Sequence, residues 1–338
     1  MVARQPSVSR AEISPVQARA EMASMLLERL KHALRTGEWW VPAWWQDSRY
    51  FEPEHLDRSE VNQAFRELQQ VFDGKWFLEQ TVSYQTSPPS HAVIGELLAE
   101  GLSPLHNLVS LGSALSTVRK WNLLDTELIT RLRHPDQWAG AYFELEMLAH
   151  LLQRGFTVER HPDGTGGRKA DFRVTKGSEE IVLELSQRTA EFPYDLAKKN
   201  LELYEQAQLE SISQIFTCEK ILEANRKAQQ KEAERVFLRI KDKIQQLPSE
   251  KPGIILFQPI LPMNLRSLQN SISRYGQTHK HFLGVILISP HFSEEMIRFS
   301  FEQLPNDHAQ QNMRDFLAVQ EILRLGSNRN NAEKFCSS

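Results

Sequence analysis

KADFRVTKGSEEIVLELSQR, residues 169–188, decides how this chain is read. Two β-prone runs, ADFRVTKG and EEIVLELSQ, flank a short Lys-Gly-Ser connection, the pattern of a β-hairpin. The second run is a buried strand with one acid, Glu184, among Ile, Val and Leu, and such an acid is costly unless it has a partner or a task. Twelve residues lie between Asp171 and Glu184. Period-two alternation puts Lys169, Asp171 and Arg173 on one face of their strand, and Glu184, Ser186 and Arg188 on one face of theirs. Pairing as a hairpin then brings both carboxylates to the same end and face. Two converging carboxylates repel unless a cation sits between them. Oxygen-only ligands suit Mg²⁺, with Mn²⁺ as its substitute, and such an ion can activate water against a phosphodiester.

Outward from the hairpin, the pattern is α/β. PDQWAGAYFELEMLAHLLQRG reads as a helix opened by Pro135 and Asp136 and closed by Gly155. FTVERH follows as a strand and HPDGTGGRK as a Gly-rich turn. That turn is no phosphate loop, because Lys169 is followed by Ala170 and a strand rather than by Ser or Thr and a helix. After the hairpin come a helical stretch over about 195–247, the strand GIILFQPI, the helix MNLRSLQNSISRYG and the strand FLGVILISP. The segment EEMIRFSFEQL is ambiguous, with an edge strand as one reading, and AQQNMRDFLAVQEILRLG reads as a closing helix. GIILFQPI and FLGVILISP are almost wholly apolar, as strands covered on both faces are.

Residues 1–134 read as mainly helical. AEISPVQARAEMASMLLERLKHALRTG carries Ala20, Met25, Leu26, Leu30 and Leu34 at helical spacing and stops at Gly37. Trp39, Trp40, Trp44 and Trp45 follow, four of the seven tryptophans. They fit a loop anchored on the helical region or a stacking surface for a partner. Segments 59–73, 91–101 and 103–121 continue the helical pattern.

The chain has 338 residues, 41% hydrophobic and 25% charged, with a net charge of -3. A globular protein of two domains is expected. Any surface for nucleic acid must then be local, since bulk charge does not favour polyanions. Cys218 and Cys336 are too few for a disulfide framework or a zinc cluster. A reducing cytoplasm is the expected compartment. The N-terminal residues hold no apolar core of a secretory signal, and no run of about 18 apolar residues exists, so no membrane association is expected. His279 and His281 stand two apart with no third ligand in view and read as surface residues.

Residues 138–290 resemble the PD-(D/E)XK nuclease superfamily. The resemblance lies in a helix with an acid (Glu144 in FELEMLAHLLQRGFTVE), then the Asp of ADF, then LELS in the place of ExK, a further helix and a further strand. It implies a restriction-endonuclease-like mixed central sheet flanked by helices, preceded by the mainly helical N-terminal domain. The domains expected are 1–134, selecting substrate or partner; 135–305, the nuclease-like domain; and 306–338, a C-terminal helix and tail. It also implies Mg²⁺-dependent phosphodiester hydrolysis, with Asp171, Glu184 and the Leu185 carbonyl on the metal and Glu144 as a supporting acid. The partner implied is nucleic acid, DNA in the first instance, and the N-terminal domain is a place for self-association or a protein partner.

One position departs from the pattern. Ser186 stands where the superfamily has its lysine, and a neutral hydroxyl cannot supply the positive charge that steadies a developing oxyanion. Lys169, on the face of Asp171, is the first candidate to replace it. Arg188 is a second, though it lacks a lysine's compact charge. A helix lysine, Lys198, Lys199, Lys241 or Lys243, is a third. An inactive nuclease-like module, binding nucleic acid or a protein within a larger assembly, stays open beside the active one. Lys227, Lys231, Arg235, Arg239 and Lys243 recur every fourth residue beside an apolar stripe of Val236, Ile240 and Ile244. They form either a phosphate-tracking ridge or the solvated flank of an amphipathic helix.

Overall fold

The computed structural model describes residues 58–84, 91–98, 102–162, 170–187, 214–259, 261–292 and 297–310, together with Glu28. The N-terminal helix and the four clustered tryptophans read from the sequence lie outside these residues. So do Lys169, Arg188, Lys198, Lys199 and the closing helix beyond Gln310. The chain divides into two compact units, one of residues 1–116 and 129–138, the other of 117–128 and 139–338.

The described part of the first unit is helical: α1 (Arg58–Val71), α2 (Gly74–Tyr84), α3 (Ala92–Leu98), most of α4 (Leu102–Lys120) and most of α5 (Thr126–Arg133). Val61, Leu68, Leu105, Leu108 and Leu115 are fully buried. Gly112 lets α4 come down onto α1, since a Cβ there would lie 2.4 Å from the Ala64 carbonyl oxygen. His91 sits in an aromatic group, its ring 4.9 Å from Trp76 and 4.8 Å from Trp138. Its Nδ1 accepts from the Val93 N–H at 3.3 Å, which leaves Nε2 to donate to the Leu132 carbonyl at 2.8 Å. Burial pushes His91 down to about 4, and a charged imidazole would be out of place there. A depressed folded value contributes stability that is complete above the ordinary value of 6.5 and is lost as pH falls through about 4. Tryptophan-monitored unfolding should therefore show stability falling between those limits, by about 3 kcal/mol. His91→Gln should flatten that part of the profile, and an unchanged slope would show that other groups set it.

The second unit carries a six-stranded mixed sheet, β1 (Thr157–Arg160), β2 (Phe172–Lys176), β3 (Glu179–Gln187), β4 (Gly253–Gln258), β5 (Phe282–Phe292) and β6 (Ile297–Pro305), in that spatial order. β1, β2 and β3 form an antiparallel meander. β3, β4 and β5 run parallel, and β6 closes the sheet antiparallel to β5. The hairpin read from the sequence turns at Gly177, whose φ of 63° suits a glycine. The ambiguous segment near 297 is the edge strand β6. Each parallel step needs a crossover: α7 (Gln214–Ile244) lies between β3 and β4, and α8 (Leu265–Gly276) between β4 and β5.

Ala233, Val236, Ile240 and Ile244 of α7, with Leu268 and Ile272 of α8, pack on Val182, Ile255, Phe257, Val285 and Leu287 of the sheet. The alternate residues Leu183, Ile254, Leu256 and Ile286 are buried as well, so both faces are covered. α6 (Trp138–Gln153) is buried almost continuously from Phe143 to Leu152. Arg160 of β1 reaches the Leu123 carbonyl at 3.3 Å and the Asp125 carboxylate. That is why the stretch 117–128, read from the sequence as part of the helical region, clusters with the sheet. Among the described residues no helix is long and apolar enough to cross a membrane.

Candidate functional site

The β2–β3 register sets the geometry. Phe172 pairs with Leu183 and Arg173 with Val182, so one further step places Asp171 opposite Glu184. Val182 faces α7, and period-two alternation turns Glu184 and Ser186 the same way. Asp171 lies just before the first residue of β2, and its Oδ2 accepts the Leu185 backbone N–H at 2.7 Å. The carboxylates meet through a third side chain. Lys243, in the last turn of α7, places Nζ 3.1 Å from Asp171 Oδ2 and 2.8 Å from Glu184 Oε2. A long contact of 3.4 Å to Gln246 Oε1 completes its surroundings.

Burial makes this cluster electrostatically expensive. The Glu184 side chain is fully buried, whereas those of Asp171 and Lys243 keep 29% and 23% of their exposure, so solvent reaches the cluster at those two side chains. Burial and then repulsion from the Asp171 carboxylate push Glu184 up to about 8, with the Lys243 ammonium acting against both. Burial alone would lower Lys243, but Asp171 and then Glu184 outweigh it and hold it above the usual lysine range. Glu184 Oε1 is buried and has no hydrogen-bond partner among the described residues. A buried carboxylate oxygen without a donor is an open acceptor.

That open oxygen is the observation against which a metal can be judged. Two carboxylates, one of them with a spare buried oxygen and the other partly exposed, match a Mg²⁺ ion that keeps several waters. Among the described residues no group of three or more His, Cys, Asp or Glu side chains could hold a metal, so a cation here would rest on two carboxylates and complete its shell with water. The donor set is all oxygen and therefore suits Mg²⁺ or Mn²⁺ better than zinc.

The remaining candidates fall in different places. Glu144 does not join the pair. Its Oε1 accepts from Arg160 Nε at 3.0 Å and Nη2 at 2.6 Å, so a helix acid easily taken for solvated is buried and ion-paired. β1 ends beside the site, where the His161 N–H donates to the Asp171 carbonyl at 3.0 Å. Glu144 and Arg160 thus brace the backbone next to Asp171. Arg173, a conceivable structural partner for Glu184, instead pairs with Glu159 at 2.8 Å and Glu180 at 3.1 Å. Leu185 shows its N–H engaged with Asp171.

The every-fourth-residue basic row splits. Lys227, Lys231, Arg235 and Arg239 are exposed, while Lys243 turns inward. At 3.6 residues per turn each step of four drifts by about 40°, so by the fourth step the row has wound from the solvent side to the sheet side. Lys227 also carries an ion pair to Glu223 at 3.2 Å. The sequence holds a signal for Lys243: it stands seven residues after Val236 and three after Ile240, in phase with the apolar stripe. A charge in that phase raises the same question as Glu184 in its strand.

Breaking a buried ion cluster by removing its cation leaves uncompensated charge. Lys243→Met should lower stability in urea by roughly 3 kcal/mol, and Glu184→Gln added to it should recover part of that loss. Lys231→Met, on the exposed row, should stay within about 0.5 kcal/mol of the parent. Equal effects of the two lysine changes would mean that Lys243 is not coupled to the acids.

No family model matches the chain, and neither a curated protein nor a solved structure matches it.

Proposed function

We propose that this chain is a divalent-metal-dependent nuclease of PD-(D/E)XK type with a restriction-endonuclease-like sheet, in which the lysine comes from helix α7 as Lys243. The observation that carries the reading is the single ammonium within 3.1 Å of Asp171 and 2.8 Å of Glu184. It supplies the one part that Ser186 withholds. The order of an acid-bearing helix, a three-stranded meander carrying Asp171 and Glu184, a helix and a parallel strand supports it as well.

In this mechanism the Asp171 and Glu184 carboxylates, with the Leu185 carbonyl beside them, would hold Mg²⁺. When bound, the ion lowers the pKa of a water and offsets charge on the phosphodiester. Lys243 orients the attacking water by hydrogen bonding and steadies negative charge that develops on the phosphoryl oxygens. Glu144 acts through Arg160 by fixing the end of β1 beside Asp171, which makes it a positioning residue. Ser186, buried next to Glu184, takes up little space and leaves the approach from α7 open. Nucleic acid, with DNA as the first substrate to test, would run along the exposed Lys227, Lys231, Arg235 and Arg239.

Cleavage of single-stranded, duplex and branched DNA and RNA with Mg²⁺ or Mn²⁺ tests the reading. Asp171→Ala and Glu184→Ala should abolish cutting, and Lys243→Met should reduce it by about 10²–10³-fold, as removal of one charge-stabilising donor does. Variants that cut as well as the parent would assign the activity to a contaminant. An inactive parent that still binds nucleic acid would favour a module without catalysis.

The exposed row has its own signature. Removing one phosphate-binding cation should lower the slope of log affinity against log salt by about 0.9 for duplex DNA. Replacing Lys231, Arg235 and Arg239 by Gln should therefore reduce the slope by about two to three units, leaving the single-turnover rate at saturating protein unchanged. An unaltered slope would make the row a solvated flank.

A further inference from the structure

We propose that Lys243 is the resident counter-ion of this site, that a divalent cation exchanges with it, and that the displaced ammonium passes to Gln246. The inference rests on the metal-dependent reading above and adds the order in which the site assembles.

An ammonium has three donors, and three acceptors surround this one: Glu184 Oε2, Asp171 Oδ2 and Gln246 Oε1. Two of the three are oxygens of the proposed metal ligands. A divalent ion on those oxygens would face a unit positive charge at hydrogen-bond range, which is strongly repulsive in a half-buried setting. The ion and the ammonium therefore compete for one place. Asp171, whose side chain keeps 29% of its exposure, offers the way in, and Glu184 Oε1, buried and without a hydrogen-bond partner among the described residues, is a further acceptor for the cation as the ammonium leaves.

Gln246 is built to receive what is displaced. Its backbone N–H donates to the Lys243 carbonyl at 3.0 Å, so the residue stays one turn from Lys243 whatever the lysine side chain does. A lysine carries its charge at the tip of a flexible four-carbon stem and can swing without moving α7. An arginine could not exchange in this way, since its planar fork grips carboxylates through two bonds. The site thus never holds two bare carboxylates, nor two cations on one pair of oxygens. Lys243 becomes free to serve the substrate only after the metal has arrived. Gln246 is then a positioning residue, holding the ammonium within reach of the reacting phosphate.

Mn²⁺ titration of the full chain at fixed pH and ionic strength, read by direct binding and by thermal shift, tests the exchange. Lys243→Gln should bind Mn²⁺ at least about tenfold more tightly than the parent, the low end of what a close buried charge pair is worth. Lys243→Arg should bind it more weakly than the parent. Gln246→Leu should weaken Mn²⁺ binding and lower kcat with KM unchanged, whereas a purely structural glutamine would leave that split unmoved. If Lys243→Gln loses its fold without metal, refolding on Mn²⁺ addition reads the same exchange, and failure to refold counts against it. Mn²⁺ binding by Lys243→Gln no tighter than by a parent that binds and cuts would overturn the exchange and leave the nuclease reading standing. A parent and variants that all lack Mn²⁺ binding dependent on Glu184 would overturn both.

Discussion

A carboxylate in the middle of a mixed sheet has to be neutralised, and the arrangement around it follows from that need. Glu184 stands between Leu183 and Leu185, after the buried Ile181 and Val182 of β3. Water cannot solvate it there, and a bare charge would cost more than the sheet could return. Lys243 meets that need from α7, its ammonium 2.8 Å from Glu184 Oε2. Every element that brings Lys243 to Glu184 is therefore tied to the same requirement: the crossover after β3, the length of α7 and the close of its last turn beside the meander.

The topology explains why the cation comes from so far away. A lysine two residues beyond Glu184 would share its strand face and need no other element. With Ser186 in that place, the nearest covering layer is the crossover helix, and its residue is 59 positions downstream. A helix lysine reaches over the sheet along its stem instead of rising from it. It also ties α7 to β3 and to the residue before β2 through one charged cluster, alongside the apolar packing of Val236, Ile240 and Ile244. Site and layer packing are then coupled, so a change at either is felt at the other.

Local rules make much of this legible in the sequence. The Asp171–Glu184 juxtaposition follows from period-two alternation and a short connection, both contained in twenty consecutive residues. The two apolar parallel strands and the helices around them are readable for the same reason. Lys243 is easily missed, because its spacing groups it with the exposed cations; only its phase with Val236 and Ile240 sets it apart, and the drift of that spacing carries it to the other side. Glu144 is hard to place for a related reason. Its partner Arg160 lies on the next strand, and α6 is buried so continuously that no polar face marks where an acid belongs. The edge strand β6 is ambiguous in sequence because it is antiparallel in a mixed sheet and lacks the apolar run of its neighbours.

Stability alone is a poor account of the Asp171–Glu184–Lys243 cluster. Apolar side chains of similar volume usually do as well as a buried ion pair or better, since desolvation takes back most of the attraction. Here the cost is compounded by a second carboxylate next to the first and by an acceptor oxygen left unpartnered among the described residues. A purely structural bridge would need one acid and one base, with their lone pairs satisfied. A cluster with an acid in surplus, an open oxygen and partly exposed Asp171 and Lys243 side chains is what the proposed metal and substrate would use: a cation would balance the surplus, and the lysine would meet the substrate's charge. That excess of negative charge, rather than the ion pair itself, is the feature that points to chemistry.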